Sequence, residues 1–143
     1  MPTETSTPTT PPYDWIPPGG GMRWTSVGEL GWHTLTLPMY LGNRVLAELG
    51  DTSGAVIQED ADDRLTWLIE PHAPAVQHLR ENHNVTLSGD DGSYVFVPGI
   101  TRHHIVWWRI EPTSNRLLTE AGKLADAITP PPAKEGPVRP KAP

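Results

Sequence analysis

The sequence predicts an α+β fold, with a mostly antiparallel sheet, two or three helices packed against it, and disordered proline-rich tails. In some segments apolar residues alternate, which is typical of strands, and in others they recur every three or four residues, which is typical of helices. The two kinds of segment follow one another in mixed order along the chain, as is typical of this class. Of the 17 prolines, twelve lie in residues 1–21 and 129–143, where large apolar residues are nearly absent. We therefore expect one domain over residues 22–128, a disordered Pro/Thr-rich arm before it and a disordered tail after it.

One or two short strands over residues 22–38 and a helix open the predicted domain. Residues 32–37 alternate with a period of two and are rich in β-favouring residues, and Pro38 ends that strand. Residues 39–50 have helical spacing, and Gly50 is placed to end the helix in a left-handed conformation. The apolar face of this helix carries Leu41, Val45 and Leu49.

Two further strands and a short helix follow. Residues 55–57 and 65–70 are predicted strands, separated by a polar segment. Because apolar residues occupy both faces of the second strand, we expect it to lie centrally in the sheet. Residues 73–84 favour a short helix, with Pro74 in its first turn.

The second half of the domain is predicted as a hairpin, a strand and a helix. The turn over residues 88–93 is typical of a hairpin. The predicted partners of Val85 and Leu87 across it are either Tyr94 and Phe96 or Val95 and Val97. The strand after residue 103 places Val106, Trp108 and Ile110 on one face, with Trp107 and Arg109 on the other. The last helix runs to Ile128 and begins at either Ser114 or Thr119.

The charge of the chain disfavours nucleic acid as a partner. Its formal net charge is −6, and residues 22–128 contain 8 Lys and Arg against 14 Asp and Glu. Binding to phosphate backbones needs clustered basic residues, whereas these are scattered.

No cysteine is present, which excludes disulfides, thiolate metal sites and a cysteine nucleophile. The sequence shows no apolar run of membrane-spanning length and no secretory leader, so we expect a cytoplasmic protein with no membrane association.

The acidic stretch after Ile57 allows two interpretations. Asp60 and Asp62 form an Asp-x-Asp pair, which is the arrangement that holds two metal ions in nucleotidyl transferases. Alternatively, residues 58–64 are a solvated turn that joins two paired strands. We favour the turn because only Asp63 and Arg64 separate the pair from the next strand, and because hydration suits so acidic a segment.

Part of the chain resembles the primase-polymerase domains of the archaeo-eukaryotic primase superfamily. The resemblance lies in residues 53–112, and its matching positions are Gly89, Asp90, Gly92, Tyr94, Val95, Val97, Pro98, Trp108 and Arg109. It implies that Asp60 and Asp62 are metal ligands, or that a degenerate domain binds nucleotide or single-stranded nucleic acid through Tyr94, Arg102, Trp108 and Arg109. This sequence has no histidine at the position of the Ser-x-His step of that family.

Residues 35–108 also resemble small uncharacterised actinobacterial proteins that share the strand, helix and acidic-turn order. This second resemblance implies one fold and a bacterial cytoplasmic setting, and it brings no activity with it. The six histidines have no zinc-type spacing, and no serine lies in a nucleophile motif. We therefore expect no metal, no cofactor and no catalytic residue.

Tryptophan gives the strongest indication of function, because six are present in 143 residues. Either those in the folded part are all core residues, or some are exposed on a sheet face and contact a partner. The predicted binding residues are Trp67, Tyr94, Trp107, Trp108 and Arg109. Residues 13–18 either dock back onto the domain or act as a linker or linear motif. We predict a non-enzymatic interaction or regulatory module that binds a protein partner, with homo-oligomerisation left open.

Overall fold

The computed structural model describes residues 12–17, 19–89, 92–99 and 105–129 of the chain. Its strands are β1 Met22–Ser26, β2 His33–Pro38, β3 Val56–Glu59, β4 Arg64–Ile69, β5 Thr86–Ser88, β6 Tyr94–Pro98 and β7 Val106–Ile110. Its α-helices are α1 Met39–Leu49 and α2 Ala121–Ile128, and two 3₁₀ helices span Gly50–Thr52 and Pro74–Glu81. No helix among these residues is both long and apolar enough to cross a membrane.

The strands form two antiparallel sheets. The larger sheet has five strands in the order β5-β2-β4-β3-β7, and β1 pairs with β6 in a separate two-stranded sheet. The predicted α+β class with a mostly antiparallel sheet is therefore confirmed. The strand predicted to be central is β4, which lies in the middle of the larger sheet between β2 and β3.

Apolar cores cover both faces of the larger sheet. On one face, side chains of β2 and β4 pack against α1, α2 and the 3₁₀ helix Pro74–Glu81. On the other face, Ile57, Leu68 and Trp108 pack against the inner residues of the two-stranded sheet. Because β4 contributes to both cores, its apolar residues on both faces are explained by burial.

Helix α1 lies close against the sheet at Gly42. A Cβ atom at this position would stand 2.7 Å from Cδ1 of the buried Leu65. The buried face of the helix is the predicted one and carries Leu41, Val45 and Leu49. The helix ends at Gly50, which has a positive φ of 54° as expected for a glycine stop.

The segment between Val56 and Ile69 folds as a hairpin, as predicted. Val56 pairs with Trp67 and Glu59 pairs with Arg64, so residues 60–63 form the turn. Arg64 Nη2 lies 3.0 Å from Glu59 Oε1, so an ion pair links the two strands beside the turn. Asp63 has a φ of 54°, a conformation that aspartate tolerates better than most residues.

The predicted hairpin over residues 85–97 is wrong. Strand β5 pairs with β2 in the larger sheet, whereas β6 pairs with β1 in the smaller one. The turn-forming residues between them therefore join two sheets. The physical reason is burial: Leu87 packs against the first core, and Val95 and Val97 belong to the second.

The predicted alternation of β7 fails at its end. Val106 and Trp108 face the second core as expected, but Ile110 packs against the first. The register between β3 and β7 shifts here, because Ile57 pairs with Trp108 whereas Val56 pairs with Ile110. Arg109 is therefore an extra residue in β7, and it places the side chain of Ile110 on the opposite face of the sheet.

The short helix predicted over residues 73–84 is present as the 3₁₀ helix Pro74–Glu81, whose buried residues Val76 and Leu79 have the three-residue spacing of that helix. The last helix begins at neither Ser114 nor Thr119, because Glu120 is its N-cap. Thr119 is instead buried, and its Oγ1 accepts a hydrogen bond from Gly54 N at 2.8 Å.

The end of the N-terminal arm packs on the domain, which was one of the two alternatives for residues 13–18. Ile16 is 2% exposed and belongs to the second core. Trp15 contacts the rings of Tyr13 and Trp32, with centroid distances of 5.3 and 5.4 Å. Tyr13 donates a hydrogen bond to Thr113 O at 3.0 Å. The folded part therefore starts before residue 22, and residues 1–11 lie outside the described residues.

Candidate binding surface

The two faces of the β1–β6 sheet differ sharply in composition. In its antiparallel register, Trp24 lies opposite Phe96, and Thr25 lies opposite Val95. Because side chains alternate along a strand, these two pairs point to opposite faces. Thr25, Val95 and Val97 are buried against the domain. The aromatic side chains of both strands consequently point away from it.

The outward side of this sheet carries four large apolar side chains. Their exposed fractions are 56% for Trp24, 52% for Tyr94, 38% for Phe96 and 37% for Met22. The Trp24 ring lies 5.4 Å from that of Tyr94 at an angle of 4°, and 4.4 Å from that of Phe96 at 53°. We call these four residues the aromatic face.

Elsewhere on the described surface, the large exposed apolar side chains belong to three different segments of the chain. They are Tyr40, Ile105 and Leu118. Single exposed apolar residues are ordinary, whereas a contiguous group is typical of a recognition site. The aromatic face is therefore the best candidate binding surface among the described residues.

Two of the predicted binding residues are buried and cannot contact a partner directly, which corrects the sequence prediction. Trp67 is 0% exposed, and its Nε1 donates to Ser53 Oγ at 3.1 Å. Trp108 is 6% exposed, and its Nε1 donates to Pro98 O at 2.7 Å. Burial of the apolar ring with its polar atom satisfied is the usual state of a core tryptophan.

The predicted residues Trp107 and Arg109 lie on β7 and bond to the neighbouring hairpin. Trp107 Nε1 donates to Asp60 Oδ2 at 2.9 Å, and Arg109 Nη1 donates to Gln58 Oε1 at 2.8 Å. Gln58 Nε2 in turn donates to Asp60 Oδ1 at 2.6 Å. These bonds join the acidic turn to the edge of the sheet. Of the five predicted residues, Tyr94 alone belongs to the aromatic face.

The carboxylates of the acidic turn have different partners. Asp60 accepts the two hydrogen bonds from Gln58 and Trp107, whereas Asp62 lies 3.5 Å from Arg64 Nη2. Within the described part of the chain, no group of three or more His, Asp or Glu side chains is arranged to hold a metal ion. The structure thus shows Asp60 bonded to side chains of β3 and β7, and Asp62 paired with an arginine of β4.

A cavity with a volume of about 510 Å³ lies at the start of α2. Its wall includes Glu70, Glu120, Ala121 and Gly122. Both glutamates are exposed.

Three members of the aromatic face, Met22, Trp24 and Phe96, were missed as binding residues. A partial signal was present in residues 94–97, where aromatic and valine residues alternate. Alternation shows that the two aromatic side chains share a face, but it does not show which face is covered. That information lies in the pairing with β1, which is distant in sequence.

Comparison of the chain with protein-family models, with curated proteins and with solved structures gives no match. The resemblances to primase-polymerase domains and to small actinobacterial proteins therefore stay predictions.

Proposed function

We propose that this protein is a non-enzymatic module that binds a protein partner through the aromatic face. The observation that carries the proposal is the contact of three exposed rings, Trp24, Tyr94 and Phe96, on a sheet whose other side is buried. A fold gains nothing by keeping such rings in water, since their burial is strongly favourable.

The residue types and their rigidity suit an interface. Tryptophan and tyrosine are enriched among the residues that dominate binding energy, where truncation typically costs about 2 kcal/mol or more. Mutual contact already restrains the Trp24 and Tyr94 rings. Less side-chain entropy is then lost when a partner covers them.

The charge of the domain indicates what kind of partner would suit it. Residues 22–128 carry a net charge of −6, so an acidic partner would be repelled over distances of about 10 Å at ordinary salt. A neutral or basic protein segment with apolar side chains fits both the charge and the aromatic face.

A selection experiment tests the proposal even when the partner is unidentified. A displayed library of random peptides is selected against the full chain and, in parallel, against the Trp24→Ala variant. We expect the wild type to enrich apolar, neutral or basic peptides and the variant to enrich none of them. Tyr40→Ala is the matched control, because Tyr40 is 70% exposed but lies on α1.

Two outcomes would contradict the proposal. One is the absence of enrichment on the wild type, and the other is equal enrichment on the wild type and on Trp24→Ala. Loss of binding in Tyr40→Ala as well would point to a general effect of removing an exposed ring.

The alternative function, binding of nucleotide or single-stranded nucleic acid, loses one of its expected residues. Trp108 is buried and cannot stack on a base, and Arg102 lies outside the described residues. The Trp24–Tyr94 pair could offer a stacking surface in its place. Salt-sensitive binding of a fluorescent oligothymidine at low ionic strength, lost in Trp24→Ala, would favour this alternative over a protein partner.

A further inference from the structure

The segment that follows α2 has a regular proline pattern. Pro137, Pro140 and Pro143 recur at every third position, and Arg139 and Lys141 lie between them. We propose that this segment, residues 137–143 of a second copy of the chain, binds the aromatic face in a polyproline II conformation. The inference rests on the proposed function and specifies its partner.

The spacing of the prolines matches the size of the aromatic face. A polyproline II helix has 3 residues per turn and rises about 3.1 Å per residue, so prolines three apart lie on one edge about 9 Å from each other. The Trp24 ring contacts Tyr94 at 5.4 Å and Phe96 at 4.4 Å, which places the two outer rings at most about 10 Å apart. A spacing of about 9 Å lies within this upper limit, so two successive prolines of the series can both contact rings of the face, as in other aromatic surfaces that bind proline-rich segments.

Charge complementarity distinguishes this segment from the other proline-rich part of the chain. Residues 129–143 carry three basic residues and one acidic residue, opposite in sign to the net −6 of residues 22–128. The arm also has prolines three apart, Pro8 and Pro11, but residues 1–21 carry two acidic residues and no basic ones. Electrostatic attraction therefore favours the segment after α2.

The position of α2 indicates that the segment comes from a second copy. Helix α2 packs on the first core, whereas the two-stranded sheet lies over the second core on the opposite face of the larger sheet. With layers about 10 Å apart and a five-stranded sheet about 20 Å wide, a path around the sheet edge is on the order of 40 Å. In the polyproline II conformation, the distance from Thr129 is about 25 Å to Pro137, about 34 Å to Pro140 and about 43 Å to Pro143. Within one chain, only Pro143 would therefore reach the face, whereas the proposed contact uses two successive prolines. A second copy has no such limit.

Sedimentation equilibrium of the full chain over a range of concentrations tests the inference. We expect the mean mass to rise from the 15.7 kDa of one chain with increasing concentration. Trp24→Ala and Pro140→Ala should each weaken the association at least about tenfold, and Tyr40→Ala should leave it unchanged. A synthetic peptide of residues 129–143 should dissociate the complex, whereas a scrambled peptide of the same composition should not.

Three results would overturn the inference. They are a monomeric chain at every concentration, an association that survives in Trp24→Ala, and equal competition by the scrambled peptide. If the library selection yields peptides that bind the aromatic face while the 129–143 peptide does not bind, the inference fails and the proposed function stands. If no ligand of any kind depends on Trp24, both fail.

Discussion

The ring of Trp24 lies parallel to the ring of Tyr94, with 5.4 Å between centroids and 4° between planes, although both side chains are more than half exposed. Strand pairing between β1 and β6 brings the two residues together. Because Thr25, Val95 and Val97 hold the inner side of this sheet against the domain, the rings cannot turn inward without exposing a core. The aromatic face is thus a fixed feature of the fold.

Substitution of the exposed and the buried tryptophan should separate binding from stability. Trp24→Ala should lower the free energy of unfolding by only about 1 kcal/mol, since it removes ring contacts at the surface. Trp67→Ala should lower it by about 3–5 kcal/mol, since it empties a site that is 0% exposed. Urea titration followed by circular dichroism measures both. A Trp24→Ala loss as large as that of Trp67→Ala would show that the aromatic face is part of the core.

The two aspartates of the Asp-x-Asp pair should differ in their effect on stability. Asp60→Ala removes an acceptor of hydrogen bonds from Gln58 and Trp107, which should cost about 1–3 kcal/mol in the free energy of unfolding. Asp62→Ala should change it by less than about 0.5 kcal/mol, because its ion pair with Arg64 is exposed. Chemical denaturation of the two variants side by side gives the comparison.

The effect of divalent cations on the melting temperature is the matching control for the turn formed by residues 60–63. If Asp60 acts as a structural acceptor, manganese or magnesium should leave the melting temperature of the wild type unchanged. A rise in melting temperature with manganese that disappears in both aspartate variants would instead assign the pair to a metal ion, since a ligand that binds the folded state stabilises it.

The end of the N-terminal arm should contribute to stability. Ile16→Ala removes a side chain that is 2% exposed in the second core, and we expect a loss of about 2–4 kcal/mol in the free energy of unfolding. Tyr13→Phe removes the hydrogen bond to Thr113 O and should cost about 1 kcal/mol. Urea unfolding curves that match the wild type for both variants would mean that the arm acts as a linker.

Local sequence patterns were sufficient for the elements whose contacts are close in sequence. The apolar face of α1, its end at Gly50 and the hairpin around residues 60–63 depend on neighbouring residues and turn chemistry. Strand β4 was recognisable as central because apolar residues on both faces need cover on both sides. These features agree with the prediction because the apolar pattern and the turn residues within each segment are enough to indicate them.

The binding surface depends on long-range pairing, which local patterns do not specify. The turn residues before Tyr94 favoured a hairpin with β5, but burial of Val95 and Val97 against the second core directs β6 to β1. Similarly, alternation placed Trp107 and Trp108 on opposite faces without showing that Trp108 would be covered. The excess of tryptophan drew attention to a sheet face, and the tryptophan that is exposed among the described residues is Trp24.

The most direct test of the central claim is to observe Trp24 while a ligand binds. A peptide obtained by selection on the full chain is titrated into the ¹⁵N-labelled protein, and the indole N–H signals are followed by NMR, with Trp24→Phe used to assign the signal of Trp24. We predict that the Trp24 signal shifts while those of the buried Trp67 and Trp108 stay in place. A peptide that binds and leaves the Trp24 signal unmoved would contradict the claim that the aromatic face is the recognition surface.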